Sequence, residues 1–261
     1  MDSLPAHRIQ EWSRNQPGTS DEGVLHGRER LDQSGILVID KPVGLTSMDV
    51  IRVLRRVSKA KKIGHGGTLD PFATGVLPIL FNQATKVSDQ IMNGKKEYEG
   101  VFILGVAYDT QDVTGTPLSE AKPIPSELDL EAVRRKAAEF VGIVHQTPPM
   151  YSAVKKEGRP LYEYAREGKV IEVTGRDVVV EAFEITERID AATFRFWVRC
   201  QKGVYVRTLI HDLGASLGLG AVTKELVRTQ THDFHLDEAV QLSTLKFVSD
   251  IKHHLKPLRA V

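Results

Sequence analysis

The chain has 261 residues, of which 41% are hydrophobic and 26% are charged, and its formal net charge at pH 7 is +1. This composition is typical of a folded globular protein and excludes a collagen, a coiled coil and wholesale disorder. The apolar stretches are far shorter than the roughly 18 to 20 residues of a membrane helix, and the single cysteine, Cys200, excludes an internal disulfide and a cysteine-clustered zinc site.

Three segments are expected along the chain. Residues 1–33 are polar and aperiodic and predict a mobile N-terminal extension. They carry charges and lack the apolar core of a secretory signal, so we expect a cytoplasmic protein without membrane association. Residues 34–240 are expected to form the folded core, and residues 241–261 a short C-terminal tail.

The first predicted elements are a strand and a helix. Residues 36–40 predict a short buried strand, and Thr46 with Asp49 three residues later predicts a capping box at the start of a helix. The helix and the loop after it carry a basic patch of Arg52, Arg55, Arg56, Lys59, Lys61 and Lys62, and no acid lies between residues 50 and 69. The patch is compatible with a solvated helix face or with contacts to nucleic-acid phosphates.

The remaining elements are strands and helices without regular alternation. We predict strands at 97–110, 176–186 and 193–206, a helix at 130–140 preceded by start signals at Pro125 and Ser126, and a helix at 208–217. The strands alternate between apolar and polar residues, which is typical of a sheet with one solvated face. The predicted fold class is therefore α+β, with a mixed, mainly antiparallel central sheet and flanking helices.

The most unusual stretch is residues 64–75, in which four glycines surround the pair Asp70-Pro71. The plain interpretation is that Asp70-Pro71 starts a turn. No Gly-Lys-Ser/Thr follows at the spacing of a phosphate-binding loop, and the scattered histidines predict no metal site. A carboxylate beside cations stays ionised and is able to act as a nucleophile or base, which is the functional interpretation of Asp70.

At this stretch the sequence becomes similar to a known family. Five ordered blocks, residues 35–42, 64–75, 95–98, 146–155 and 200–209, resemble those of the TruB family of tRNA pseudouridine synthases, whose members act on uridine 55 of the T loop. The resemblance extends over about residues 34–240. It implies an α+β fold with a catalytic cleft and an isomerase that needs no cofactor or metal.

The resemblance also implies roles for individual residues. Asp70 becomes the catalytic aspartate, Tyr98 stacks on the flipped-out uracil, and Arg207 pairs with the Asp70 carboxylate. His65 approaches the T loop, and the basic patch is the expected place for phosphate contacts. The expected partner is the T arm of tRNA. No protein partner is expected, and the protein is expected to be a monomer. Residues 241–261 stand where family members commonly have a small RNA-binding domain.

Two other functions remain open from the sequence. A module that binds and refolds tRNA, with dispensable catalysis, shares the basic patch but does not need Asp70 together with Arg207. A carboxylate-dependent hydrolase of nucleosides or glycosides needs a second acid, for which Asp109 and Asp112 are available.

Overall fold

The computed structural model describes residues 29–258, and its fold is α+β with mixed, mainly antiparallel strand pairing, as predicted. The strands in chain order are β1 (Gly35–Lys41), β2 (Ile63–His65), β3 (Thr74–Phe81), β4 (Lys96–Leu104), β5 (Gly142–Gln146), β6 (Lys155–Lys156), β7 (Arg159–Pro160), β8 (Arg176–Arg188), β9 (Thr193–Cys200), β10 (Ala221–Thr231), β11 (Phe234–His235) and β12 (Val240–Gln241). The α-helices are α1 (Ser47–Ser58), α2 (Ser88–Asn93), α3 (Leu130–Ala138), α4 (Leu161–Arg166), α5 (Val206–Ser216) and α6 (Val248–His254). Short 3₁₀ helices span Asn82–Val87, Leu236–Glu238 and Leu242–Thr244.

The expected core of residues 34–240 is divided into two compact units. Unit 1 comprises residues 29–94 and 227–258, and unit 2 is Lys95–Leu226. The boundary therefore falls inside β10, whose last five residues belong to unit 1.

Unit 1 is built around the antiparallel pair β1 and β3, in register from Gly35 opposite Phe81 to Lys41 opposite Gly75. Strand β12 pairs parallel with β1, and the end of β10 pairs parallel with the start of β3. The two central strands are buried along almost their whole length, which explains their nearly continuous apolar sequences.

Helix α1 begins where the capping box predicted it. The Thr46 hydroxyl accepts the Asp49 N–H at 3.0 Å, and the Asp49 carboxylate accepts the Thr46 N–H at 3.0 Å. Val50 and Leu54 are fully buried, so the helical periodicity identified the buried side correctly. All six side chains of the basic patch are exposed, and Arg52 pairs with Asp49 at 2.5 Å.

Unit 2 contains the order β10, β4, β9, β8, β5, in which β4, β9, β8 and β5 are antiparallel neighbours. Its core includes a cluster of aromatic rings. Phe102 stacks on Phe194 with centroids 5.5 Å apart, and Phe183 meets Phe196 edge to face at 6.2 Å. The alternation of β9 is confirmed, because Phe194, Phe196, Val198 and Cys200 are all fully buried.

Two strand predictions were too long. β4 ends at Leu104 instead of residue 110 because Gly105 takes a φ of +103° and turns the backbone out of the sheet. β9 ends at Cys200 instead of residue 206, and a turn leads into α5. Helix α3 begins at its N-cap Asp129, four residues after the start signal at Pro125.

The ends of the described chain belong to unit 1. Residues 1–28 of the predicted extension lie outside the described residues, but Leu31 is fully buried and its N–H donates to the Ser58 carbonyl at 2.8 Å. Ile251 of α6 is also fully buried, and Lys256 bridges to Ile36 of β1. Both ends are therefore packed parts of the folded protein. No helix within residues 29–258 has the length and apolarity needed to cross a membrane.

Candidate active site

Asp70 lies in the connection between β2 and β3, which we call the aspartate loop (residues 66–73). The loop is pinned at its start by the Gly66 N–H, which donates to the Pro78 carbonyl at 2.8 Å. Asp70 is partly exposed, and its own carbonyl accepts the Ala73 N–H at 3.2 Å. The glycine-rich stretch therefore forms the predicted turn at Asp70, and the strands on both sides of it belong to the sheet.

The residues on both sides of Asp70 are held by groups near the start of α1. Ser47 is buried, and its hydroxyl accepts the Leu69 N–H at 2.9 Å and lies 3.3 Å from the Leu69 carbonyl, to which it donates. On the other side, the Gly44 N–H donates to the Pro71 carbonyl at 2.7 Å. The main chain before and after the carboxylate is therefore fixed, as a preorganised catalytic group requires.

Lys41 is a buried cation beside this loop. It is fully buried, and its ammonium donates to the carbonyls of Leu45 at 2.7 Å, Pro42 at 2.9 Å and Pro71 at 3.4 Å. Burial lowers the pKa of Lys41 to about 8, and the charge of Asp70 opposes this shift. These contacts give Lys41 a place in the support of the aspartate loop.

Arg228 is the residue that the sequence did not single out. It is 1% exposed, and its guanidinium donates to three main-chain carbonyls, those of Val76, Gly67 and Thr68. The sequence carried no clear signal for it, because the positions in phase with Arg228 along β10 are mixed, with Leu226 apolar and Lys224 and Gln230 polar. Only the structure shows that the guanidinium is buried and that main-chain carbonyls satisfy it, as a buried charge requires.

His65 ends β2 immediately before the aspartate loop. Its Nδ1 accepts the Gly67 N–H at 3.3 Å. Burial, and then the charge of Arg228, lowers the pKa of His65 below its ordinary value of 6.5. The imidazole is therefore neutral at pH 7, with its remaining nitrogen available as a donor.

The other two predicted catalytic residues belong to unit 2. Tyr98 lies on β4 opposite Val198 of β9 and is 7% exposed. Arg207 is the second residue of α5 and is 2% exposed. Its guanidinium donates to the carbonyl of Thr110 at 2.6 Å and to that of Tyr151 at 2.8 Å.

Asp112 orients Arg207 and the turn around it. One carboxylate oxygen lies 3.4 Å from the Arg207 guanidinium, and the other accepts from the N–H of Thr114 at 3.0 Å and the hydroxyl of Thr110 at 3.1 Å. The start of α5 is held as well, because the Gln146 side chain exchanges hydrogen bonds with both main-chain groups of Tyr205. Arg207 is therefore rigidly placed.

The same contacts weaken the hydrolase interpretation. The Asp112 carboxylate is engaged by Arg207 and by its own turn, and one Asp109 oxygen accepts the Thr116 N–H at 2.7 Å. Both candidate second acids therefore have structural roles. Within residues 29–258, no group of three or more His, Cys, Asp or Glu side chains is arranged to hold a metal ion.

Comparison with known proteins identifies the family. A model of the N-terminal domain of TruB family pseudouridylate synthases matches residues 55–206, and a model of the tRNA pseudouridylate synthase B C-terminal domain matches residues 207–261. The chain belongs to the TruB family. The resemblance found in the five sequence blocks is thereby confirmed, and the second match includes the segment predicted as a short tail.

Relatives of the TruB family agree with this assignment. A tRNA pseudouridine synthase B of Ralstonia nicotianae is 45% identical over 224 residues, which cover 85% of this chain and 70% of that protein. The protein of the same name from Opitutus terrae is 45% identical over 223 residues, covering 85% of this chain and 90% of its own.

Solved structures of more distant proteins share the fold. A chain in the crystal structure of a Cbf5-Nop10-Gar1 complex superposes with a TM-score of 0.62 at 28% identity, over 87% of this chain and 59% of its own. A chain in the crystal structure of the archaeal box H/ACA sRNP Nop10-Cbf5 complex superposes with a TM-score of 0.63 at 25% identity, over 93% of this chain and 67% of its own. This chain thus spans roughly three fifths to two thirds of the length of those chains.

Proposed function

We propose that this chain converts uridine 55 in the T loop of tRNA to pseudouridine, as a monomer in the cytoplasm, with Asp70 as the catalytic carboxylate. The observation that carries the proposal is the fixed main chain around Asp70, held through Leu69 by Ser47 and through Pro71 by Gly44. Family membership and relatives named tRNA pseudouridine synthase B support the choice of tRNA as substrate.

The reaction is an isomerisation that needs one well-placed carboxylate. The bond from uracil N1 to ribose C1′ breaks, the base turns, and C5 bonds to C1′, while the C5 proton is lost and N1 takes up a proton. Asp70 attacks either C6 of the base or C1′ of the ribose, and both routes are open to an ionised carboxylate. No atom is gained or lost, so the product has the mass of the substrate.

The substrate base must leave its stack before this chemistry begins. Unstacking costs a few kcal/mol, and a new stack on an aromatic ring offsets about 1 to 3 kcal/mol. Tyr98 is proposed to provide that ring. Its burial at 7% exposure supports a ring held in one orientation by the sheet.

Arg207 is proposed to pair with the Asp70 carboxylate and keep it ionised. The support is the fixed guanidinium, which Asp112 and the carbonyls of Thr110 and Tyr151 hold in place. A planar guanidinium pairs with a carboxylate through two parallel hydrogen bonds, which also sets the orientation of the carboxylate.

The basic patch and His65 are proposed to contact the RNA. The six patch side chains are exposed, and the neutral His65 retains a donor nitrogen beside the aspartate loop. Cations that bind phosphates release counterions, so affinity for the T arm should fall with rising salt.

The test is Asp70→Asn in the full chain, with Asp109→Asn as the matched control. Activity is followed by tritium release from C5 of labelled T-arm RNA and by detection of pseudouridine, and binding by fluorescence anisotropy. We expect Asp70→Asn to abolish conversion while binding persists, and Asp109→Asn to remain active. Wild-type conversion by Asp70→Asn would refute the assignment, and release of free uracil by the wild type would identify a hydrolase instead.

A further inference from the structure

The carbonyls at the start of the aspartate loop are held by a side chain from another strand. Gly67 takes a φ of +131°, and the carbonyls of Gly67 and Thr68 lie outside any strand or helix. Their hydrogen bonds must therefore come from elsewhere in the fold. The Nη2 group of Arg228 donates to the Gly67 carbonyl at 3.1 Å, and Nη1 donates to that of Thr68 at 3.2 Å.

The third bond of Arg228 ties this part of the loop to the strand that follows it. Nε donates to the carbonyl of Val76 in β3 at 2.8 Å. One guanidinium thus links the chain before Asp70 to the chain after it. In addition, the main chain of Arg228 lies opposite Gly75 in the parallel pairing of β10 with β3. A planar fork is able to bind three carbonyls in fixed directions, whereas a lysine ammonium is a single nitrogen that cannot span them.

The charge of Arg228 also affects the protonation of two residues next to the loop, Lys41 and His65. It contributes, after burial, to lowering the pKa of His65, which directly precedes the loop, and to lowering the pKa of Lys41, whose ammonium donates to the Pro71 carbonyl within it. A buried charge is expensive to keep in a fold and is commonly retained where it has a specific role.

We propose that Arg228 is a positioning residue for catalysis. By joining the start of the aspartate loop to the strand that follows it, Arg228 fixes the position and orientation of the Asp70 carboxylate relative to the substrate base. This inference rests on the proposed function. It assigns to Arg228 no contact with the RNA, and it requires that the clamp act on the rate of the chemical step and leave RNA affinity unchanged.

The primary test is Arg228→Lys in the full-length protein, assayed with excess protein over tritium-labelled T-arm RNA in a single turnover. We expect the rate constant to fall at least about tenfold while the Kd for the RNA stays within about threefold, because a small displacement of a catalytic group is costly. A merely structural role would reduce only the folded fraction, and while folded protein remains in saturating excess over the RNA the rate constant would stay unchanged.

Arg188 provides a matched control. Its guanidinium also donates to three main-chain carbonyls, those of Leu128, Asp190 and Ala191. Arg188→Lys removes the same kind of clamp from unit 2, so we expect lower stability and a rate constant within about twofold of wild type. A folded Arg228→Lys with the wild-type rate constant overturns the proposal, as does an equal fall in both variants.

A second variant keeps the test valid if Arg228→Lys does not fold. Gly67→Ala leaves Arg228 and the core intact, but an alanine cannot hold a φ of +131° without strain and must move the Gly67 carbonyl. We expect the rate constant to fall here too, again with little change in Kd. A wild-type rate constant in Gly67→Ala overturns the clamp. An inactive wild-type protein would instead refute the proposed function.

Discussion

Ser47→Ala should weaken both the fold and the rate of the chemical step. The substitution removes the hydroxyl that bonds both main-chain groups of Leu69, the residue before Asp70. Ser47 is 2% exposed and Leu69 is 4% exposed, so water does not readily replace the lost partner. A buried donor without a partner costs about 1 to 3 kcal/mol, and this is the expected loss in the free energy of unfolding.

Thr46→Ala is the matched control at the neighbouring position. The hydroxyl of Thr46 bonds only to Asp49 among the hydrogen bonds described for it, so the variant removes the helix cap without touching Leu69. Loss of a Thr cap costs about 1 kcal/mol, which overlaps the range expected for Ser47→Ala. The two variants therefore share a stability defect and differ in their effect on the aspartate loop.

The assay combines urea denaturation with single-turnover conversion of T-arm RNA at a temperature where both variants are folded. We expect only Ser47→Ala to lower the rate constant, by about tenfold if loop displacement adds about 1.4 kcal/mol to the barrier. Equal rate constants in Ser47→Ala and Thr46→Ala would show that the Leu69 contact does not position the carboxylate. An equal fall in both would assign the effect to the helix end instead.

Three further predictions concern Asp112, Lys41 and the basic patch. Asp112→Asn should lower the single-turnover rate constant about tenfold or more, with Kd little changed, because it removes the charge that lies 3.4 Å from the Arg207 guanidinium, and a loss of about 1.4 kcal/mol in the transition state is tenfold in rate. Burial lowers the pKa of Lys41 from 10.5 to about 8 in the folded protein. Between pH 8 and 10.5 the unfolded chain therefore binds more protons than the folded protein. In this window the unfolding free energy of the wild type, relative to that of Lys41→Met, should rise with pH. Urea denaturation of both proteins across that window measures the slope, and a flat difference would contradict the burial effect. Replacing Arg55 and Arg56 by Ala should weaken T-arm binding and reduce the salt slope by about one per lost phosphate contact, whereas Arg135→Ala on α3 should not.

Features that depend on residues close together in the chain were predicted well from the sequence. The capping box of α1 joins Thr46 to Asp49, and the alternation of β9 from Phe194 to Cys200 is readable residue by residue. The same holds for the glycine-rich stretch around Asp70, whose composition demands a tight turn. The presence of each of these features depends on residues that are close together in the sequence, although the exact shape of the aspartate loop also depends on distant side chains.

Features at the ends of elements were predicted less well. β4 stops at Leu104 although the residues up to 110 retain strand-like composition, because Gly105 turns and its N–H bonds to the Gly220 carbonyl. Leu31 lies in a polar, aperiodic segment and is nevertheless buried against the end of α1, where it bonds to Ser58. In both cases a distant partner overrides a weak local preference.

The family and the identity of the candidate carboxylate came from the sequence alone, since ordered blocks of residues survive without knowledge of their contacts. The support of Asp70 required the folded chain. Arg228 reaches Gly67 and Thr68 across about 160 positions of sequence, and Ser47 reaches Leu69 across 22. Hydrogen bonds to main-chain carbonyls leave no trace in the identity of the residue that accepts them, so only the tertiary structure reveals which side chains hold the aspartate loop.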